Sequence, residues 1–117
     1  YYKMYKKNNS LEKRCKESEN ILKKYPNRIP VIVERSEKCK EINNIDKNKF
    51  LVPNDLTMNQ FIYVVRKRLQ LSSEKALFIF INDKLVPNSK TLHEIYQDEK
   101  EADDFLYMNY ASENTFG

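Results

Sequence analysis

Thr57-Met58-Asn59-Gln60-Phe61-Ile62-Tyr63-Val64-Val65-Arg66-Lys67-Arg68-Leu69 reads as a helix, and Leu77-Phe78-Ile79-Phe80-Ile81 after it reads as a strand. That change of period decides the fold class. In the first stretch Met58, Phe61, Ile62, Val65 and Leu69 fall on one helical stripe. Thr57 and Gln60 form a capping box: the Thr57 hydroxyl accepts from the Gln60 N–H, and the Gln60 side chain reaches back to the Thr57 N–H. Arg66, Lys67 and Arg68 lie near the far end, where the helix dipole favours cations. The second stretch is continuously apolar, the mark of a strand buried on both faces.

The neighbouring segments extend this pattern. Ile29 to Val33 is apolar and β-branched, with Pro30 restricting its start. Lys47 to Val52 alternates into a second strand, stopped by Pro53. The charged, Asn-rich residues 36–44 between them read as the loop of an antiparallel hairpin. Further upstream, Ser10 is the N-cap of an amphipathic helix carrying Leu11, Cys15, Ser18, Leu22 and Tyr25 and ended by Pro26. Downstream, Thr91-Leu92-His93-Glu94 is a second capping box, opening a short helix with Leu92, Ile95 and Tyr96 on its apolar face. Phe105-Leu106-Tyr107-Met108 makes the last strand. The order helix, strand, strand, helix, strand, helix, strand predicts an α+β domain: one sheet with helices packed against it.

Composition narrows the function. A chain of 117 residues predicts one domain. No run approaches the ~18 apolar residues of a membrane span and no signal-peptide core is visible, so a soluble, cytosolic chain is expected. Cys15, Cys39 and His93 make neither a disulfide framework nor a zinc site, and no metal or other cofactor is expected. Residues 1–58 hold fourteen Lys/Arg against eight Asp/Glu, and residues 59–117 hold seven against nine, so the basic charge sits in the N-terminal half. Such a surface suits nucleic acid, anionic lipid or acidic peptide, although interspersed charges more often mark a solvated helix face.

Gly117 is the chain's only glycine, where average usage would give roughly eight. No glycine-rich phosphate loop can therefore form. The sole histidine, His93, falls in a first helical turn and reads as a surface residue. Asp103-Asp104 lies in a charged turn and reads as solvated. No catalytic set emerges, and the chain is expected not to be an enzyme. Gly117 itself lacks a Cβ, so its carboxylate is unhindered and suited to activation and transfer to an amine.

These residues carry a family resemblance. Lys24-Tyr25-Pro26-Asn27-Arg28-Ile29-Pro30-Val31-Ile32 resembles the first-strand signature of the autophagy ubiquitin-like modifiers, GABARAP and its relatives. Ile45-Asp46-Lys47, Lys49-Phe50-Leu51-Val52-Pro53, Asp55-Leu56-Thr57, Gln60-Phe61, Val65-Arg66-Lys67-Arg68, Phe105-Leu106-Tyr107 and Glu113-Asn114-Thr115-Phe116-Gly117 follow in order. The resemblance covers roughly residues 11–117. Three departures accompany it: Leu11 stands where relatives often have Phe, Asp104 where Gly is common, and residues 40–44 lack the usual Pro or Gly.

The resemblance implies a ubiquitin-like β-grasp with a four-stranded mixed sheet and additional N-terminal helices. Residues 1–25 would form the helical extension, 26–112 the ubiquitin-like domain and 113–117 a flexible conjugation tail. It implies activation of Gly117 by an E1-like enzyme, transfer through an E2-like cysteine and conjugation to phosphatidylethanolamine, with a cysteine protease for processing or deconjugation. Localisation would be cytoplasmic, and on autophagosome and related vesicle membranes when lipidated.

It also implies capture of W/F/Y-x-x-L/I/V receptor peptides by strand addition to the edge Lys47–Val52. An aromatic pocket would use Glu17, Ile21, Pro30, Ile32, Lys49, Leu51 and Phe105. An aliphatic pocket would use Phe50, Val52, Pro53, Leu56, Phe61 and Val64, and Arg28, Lys47 and Lys49 would meet acidic residues beside the motif. Ordinary core is an equally good reading for Phe61 and Val64. Two alternatives remain open: a ubiquitin-like peptide-binding adaptor that is never conjugated, and a basic nucleic-acid binder. The second lacks an aromatic stacking strand, so no nucleic-acid partner is expected.

Overall fold

The computed structural model describes residues 4–114. The expectations for Gly117 and for the end of the 113–117 tail therefore fall outside the described residues. Eight elements follow in order: α1 Met4–Asn8, α2 Leu11–Lys24, β1 Arg28–Arg35, β2 Lys49–Pro53, α3 Met58–Leu69, β3 Phe78–Phe80, α4 Leu92–Glu99 and β4 Leu106–Ala111. The strands form one mixed sheet in the order β2-β1-β4-β3. β1 pairs antiparallel with β2 and parallel with β4, and β3 pairs antiparallel with β4. This is the ubiquitin-like β-grasp that the resemblance implies, with two helices added at the N-terminus.

Both faces of the sheet are covered, and strand alternation decides which residue goes where. Ile29, Val31 and Val33 of β1 and Leu106, Met108 and Tyr110 of β4 join Met58, Phe61 and Val65 of α3 and Leu92, Ile95 and Tyr96 of α4 in the main core. On the opposite face Ile32 and Phe105 join Tyr5 of α1 in a smaller cluster, flanked by Ile21 and Tyr107. The capping boxes at Thr57 and Thr91 both form. Ser10 caps α2 by accepting from the Lys13 N–H.

Some boundaries move. β2 begins at Lys49, not Lys47, because the connection from β1 runs on past residue 44. The run 77–81 contributes only Phe78–Phe80 to the ladder, at a sheet edge, although its residues still pack on the main core. The face that α2 presents is also shifted. Leu11 and Tyr25 are exposed, whereas Ser18 is the buried residue of that helix.

A chain without an internal glycine must place other residues in left-handed backbone. It does so at Gln70, Asn82, Asp83 and Asp104, with φ between 51° and 64°. Asn82 and Asp83 are the central pair of a tight turn in which Ile81 and Lys84 exchange backbone hydrogen bonds. Positive φ at both positions is the type I′ pattern, for which Asn and Asp are the best non-glycine choices. Asp104 stands at the position where relatives often have glycine, and its φ of 63° gives the reason.

Gln70 is the costliest of the four. It caps α3 at φ 56°, ψ 42°, and Gln lacks the short side chain that eases Asn and Asp into this region. Gln70→Gly should stabilise the chain by about 0.5–1 kcal/mol, the gain at the cap exceeding the added unfolded-state entropy. Urea unfolding measures it. A lower midpoint for the glycine variant would contradict the left-handed assignment.

Candidate functional site

β2 is an edge strand among the described residues. Pro30 lies opposite Leu51, and without an N–H it cannot exchange a bond pair with it. The Val33 N–H donates to the Asn48 carbonyl at 2.7 Å, which sets the alternation. Val33 and Asn48, Val31 and Phe50, and Ile29 and Val52 are thus the hydrogen-bonded pairs. Lys49 and Leu51 consequently turn their N–H and C=O groups away from β1, toward the open edge. The outward Leu51 carbonyl accepts from Arg28 Nη1 at 3.0 Å.

The same alternation divides the side chains. Phe50 and Val52 point into the main core, where the Phe50 ring meets Phe61 edge-on at 5.7 Å. Lys49 and Leu51 stand on the α2 face and remain half-buried. Ile21, Ile32 and Phe105 cluster with Tyr5, Lys49 bonds Glu17, and Pro30 faces Leu51, so the seam between α2 and β2 is the candidate slot. Its floor is covered. Ile32 and Phe105 are fully buried, and the Tyr5 ring lies 5.2 Å from that of Phe105.

The Tyr5 hydroxyl and the Lys49 ammonium both donate to Glu17. Lys49 Nζ also sits 5.3 Å from the centre of the Tyr5 ring. Burial, together with the charge of Lys13, holds the Lys49 ammonium below the ordinary lysine value. Tyr5 is the member that sequence reasoning missed. It lies in a short basic stretch with no periodicity to place it.

On the other side of the edge, Phe50, Val52 and Phe61 are core residues, while Pro53 and Val64 are exposed and Leu56 is half-buried. The apolar surface left accessible there is that of Pro53, Leu56 and Val64, with the core residues behind it. Lys47 is exposed ahead of β2, its Nζ 5.8 Å from the Phe50 ring. Of the three cations expected here, Arg28 bonds the outward Leu51 carbonyl, Lys49 bonds Glu17, and Lys47 lies beside the Phe50 ring.

Asp103 departs from expectation. It is 1% exposed, not solvated. One of its carboxylate oxygens accepts from Arg14 Nη1 at 2.6 Å and from the Tyr107 hydroxyl; the other accepts from the Phe105 N–H at 3.0 Å. Its backbone carbonyl accepts from Ser18 Oγ at 2.6 Å. Burial and the bond to Asp103 push the Tyr107 phenol far above its ordinary value. His93 is exposed on α4. No group of three or more His, Cys, Asp or Glu side chains is placed to hold a metal among the described residues.

The family described as autophagy protein Atg8, ubiquitin-like, matches residues 13–117. Autophagy-related protein 8e of Arabidopsis thaliana is 54% identical over 97% of this chain and 93% of its own length. Autophagy-related protein 8 of Kluyveromyces lactis is 58% identical over 91% of this chain and 85% of its own length. The crystal structure of Trypanosoma brucei ATG8 superposes with a TM-score of 0.87 at 42% identity, covering 97% of both chains.

The two ion pairs at the slot should differ in weight. Asp103 and Arg14 are 1% and 14% exposed, whereas Glu17 and Lys49 are each about one-third exposed. Asp103→Ala removes the buried acceptor shared by Arg14, the Tyr107 hydroxyl and the Phe105 N–H and should cost about 3–5 kcal/mol, whereas Glu17→Gln should cost less than about 1 kcal/mol. Denaturant unfolding of both variants checks this. Similar losses would contradict the burial contrast.

Proposed function

This chain belongs to the Atg8 family of ubiquitin-like autophagy proteins, and from that premise we propose that it is a lipid-conjugated modifier that also docks receptor peptides. The observation that supports docking is the edge of β2. A strand laid there meets the outward backbone groups of Lys49 and Leu51, so main-chain bonds supply affinity while side-chain pockets supply selectivity. The aromatic anchor of a W/F/Y-x-x-L/I/V segment enters between Ile21 and Leu51, displacing Lys49 and Glu17 from above the floor. The aliphatic anchor rests on Pro53, Leu56 and Val64. Arg28, Lys47 and Lys49 attract acidic residues beside the motif, an attraction that salt screens.

Conjugation runs through Gly117. An E1-like enzyme activates its carboxylate, an E2-like cysteine carries it as a thioester, and the amine of phosphatidylethanolamine takes it as an amide. A cysteine protease processes or releases the modifier. Among the described residues no helix is long and apolar enough to cross a membrane. The conjugated lipid supplies the anchor: its two acyl chains hold far more firmly than one. Lipidated chain then resides on autophagosome and related vesicle membranes and displays the β2 edge to receptors.

Lys49→Ala together with Leu51→Ala should weaken an acidic W-x-x-L peptide more than about tenfold, or 1.4 kcal/mol. The double change removes a pocket wall, its aliphatic stem and its charge. Calorimetry on a variant with an unchanged melting curve decides the matter. Equal affinity would remove this groove from consideration.

Gly117→Ala should abolish or severely slow formation of the lipid conjugate, because a methyl crowds the activated carbonyl. Incubation with family E1-like and E2-like enzymes, ATP and phosphatidylethanolamine vesicles tests this. Conjugation of the alanine variant at the parent rate would refute Gly117 as the acyl donor. Failure of the parent chain itself would favour the unconjugated adaptor.

A further inference from the structure

We propose that Asp103 is a positioning residue for the aromatic slot: by holding α2 against the sheet through Arg14 and Ser18, it sets the slot's width and so the chain's preference among aromatic anchors. The inference rests on the docking reading above and adds a determinant that touches no peptide. One wall of the slot, Glu17 and Ile21, belongs to α2, whereas Pro30, Lys49 and Leu51 belong to the sheet. The slot's width is therefore a helix-to-sheet distance.

Among the described residues α2 brings few apolar side chains to the sheet, Ile21 among them. Ser18 is the buried residue of α2, while Cys15, Ile21 and Leu22 are half-buried and Leu11 is exposed. Polar contacts join them. Ser18 Oγ donates to the Asp103 carbonyl at 2.6 Å, a close approach that a small side chain permits. One turn earlier Arg14 Nη1 donates to the Asp103 carboxylate, and Arg14 Nε donates to the Asn9 carbonyl at 3.0 Å. Residues 14, 17, 18 and 21 lie on one helical face, so fixing Arg14 and Ser18 fixes Glu17 and Ile21.

The same carboxylate fixes the floor. Its other oxygen accepts from the N–H of Phe105, whose ring closes the slot from below. Wall and floor are thus referenced to a single buried residue. A slot held at one width penalises an anchor of the wrong size, and a loosened one levels that difference.

Calorimetry with three acidic peptides tests this: W-x-x-L, F-x-x-L and W-x-x-A, each against the parent chain, Asp103→Asn and Arg14→Lys. Arg14→Lys keeps the charge but cannot reach Asn9 and Asp103 together, and it decides the matter if Asp103→Asn does not fold. In each folded variant the Trp-to-Phe affinity ratio should move toward one by about threefold or more, while the Leu-to-Ala ratio holds within about twofold. A purely structural residue would leave both ratios unmoved in the folded protein. That result, a parallel fall of both ratios, or a parent chain indifferent to Trp and Phe would overturn the inference. Failure of the parent to bind any of the three overturns the docking reading itself, which is a distinguishable outcome.

Discussion

Pro30 has no N–H to give and takes a non-hydrogen-bonded site of the β1–β2 ladder, where Leu51 lies opposite it. Strand alternation then fixes everything at that edge. Phe50 and Val52 spend their backbone bonds on β1 and their side chains on the main core. Lys49 and Leu51 turn their backbone outward and their side chains toward α2. A one-residue slip would reverse both assignments and bury Lys49 in the core. An open edge is also a hazard for aggregation, and lysine on it with Arg28 bonded to the Leu51 carbonyl limits that hazard.

The sheet has a second face to cover, and among the described residues α1 and α2 cover it with few apolar side chains. Among the described residues Tyr5, Ile32 and Phe105 form a small apolar cluster there, flanked by Ile21 and Tyr107. A buried carboxylate at Asp103 joins it, accepting from α2, from β4 and from the turn between α4 and β4. Partnered buried charges tie elements in one geometry, and losing a partner is costly. The wall and the floor of the slot between α2 and β2 are thus both tied to Asp103, through Arg14 and Ser18 on one side and the Phe105 N–H on the other.

Much of this was legible in the sequence, and what was not shares a physical cause. The capping boxes at Thr57 and Thr91 and the stripe of α3 depend on residues three or four apart, and all three form. The burial of Asp103 depends on Arg14, separated from it by 89 positions, and nothing local distinguishes it from its neighbour Asp104. Tyr5 is hidden in the same way, since its partners are Glu17, Lys49 and Phe105. Phe61 and Val64 looked alike as candidates for a pocket. Their positions on α3 separate them, 1% against 39% exposed, because only Phe61 lies on the buried stripe. The left-handed residues replacing glycine were legible at Asp104, from the family pattern, but not at Gln70.

Backbone amide exchange, read residue by residue with and without a W-x-x-L peptide, tests the β2 edge most directly. In the free chain Phe50 and Val52 should exchange slowly, and Lys49 and Leu51 fast, because only the first two donate within the sheet. Peptide binding should slow Lys49 or Leu51 to the range of their neighbours. Bound peptide with both amides still fast, or with new protection confined to another part of the chain, would show that β2 does not receive a strand.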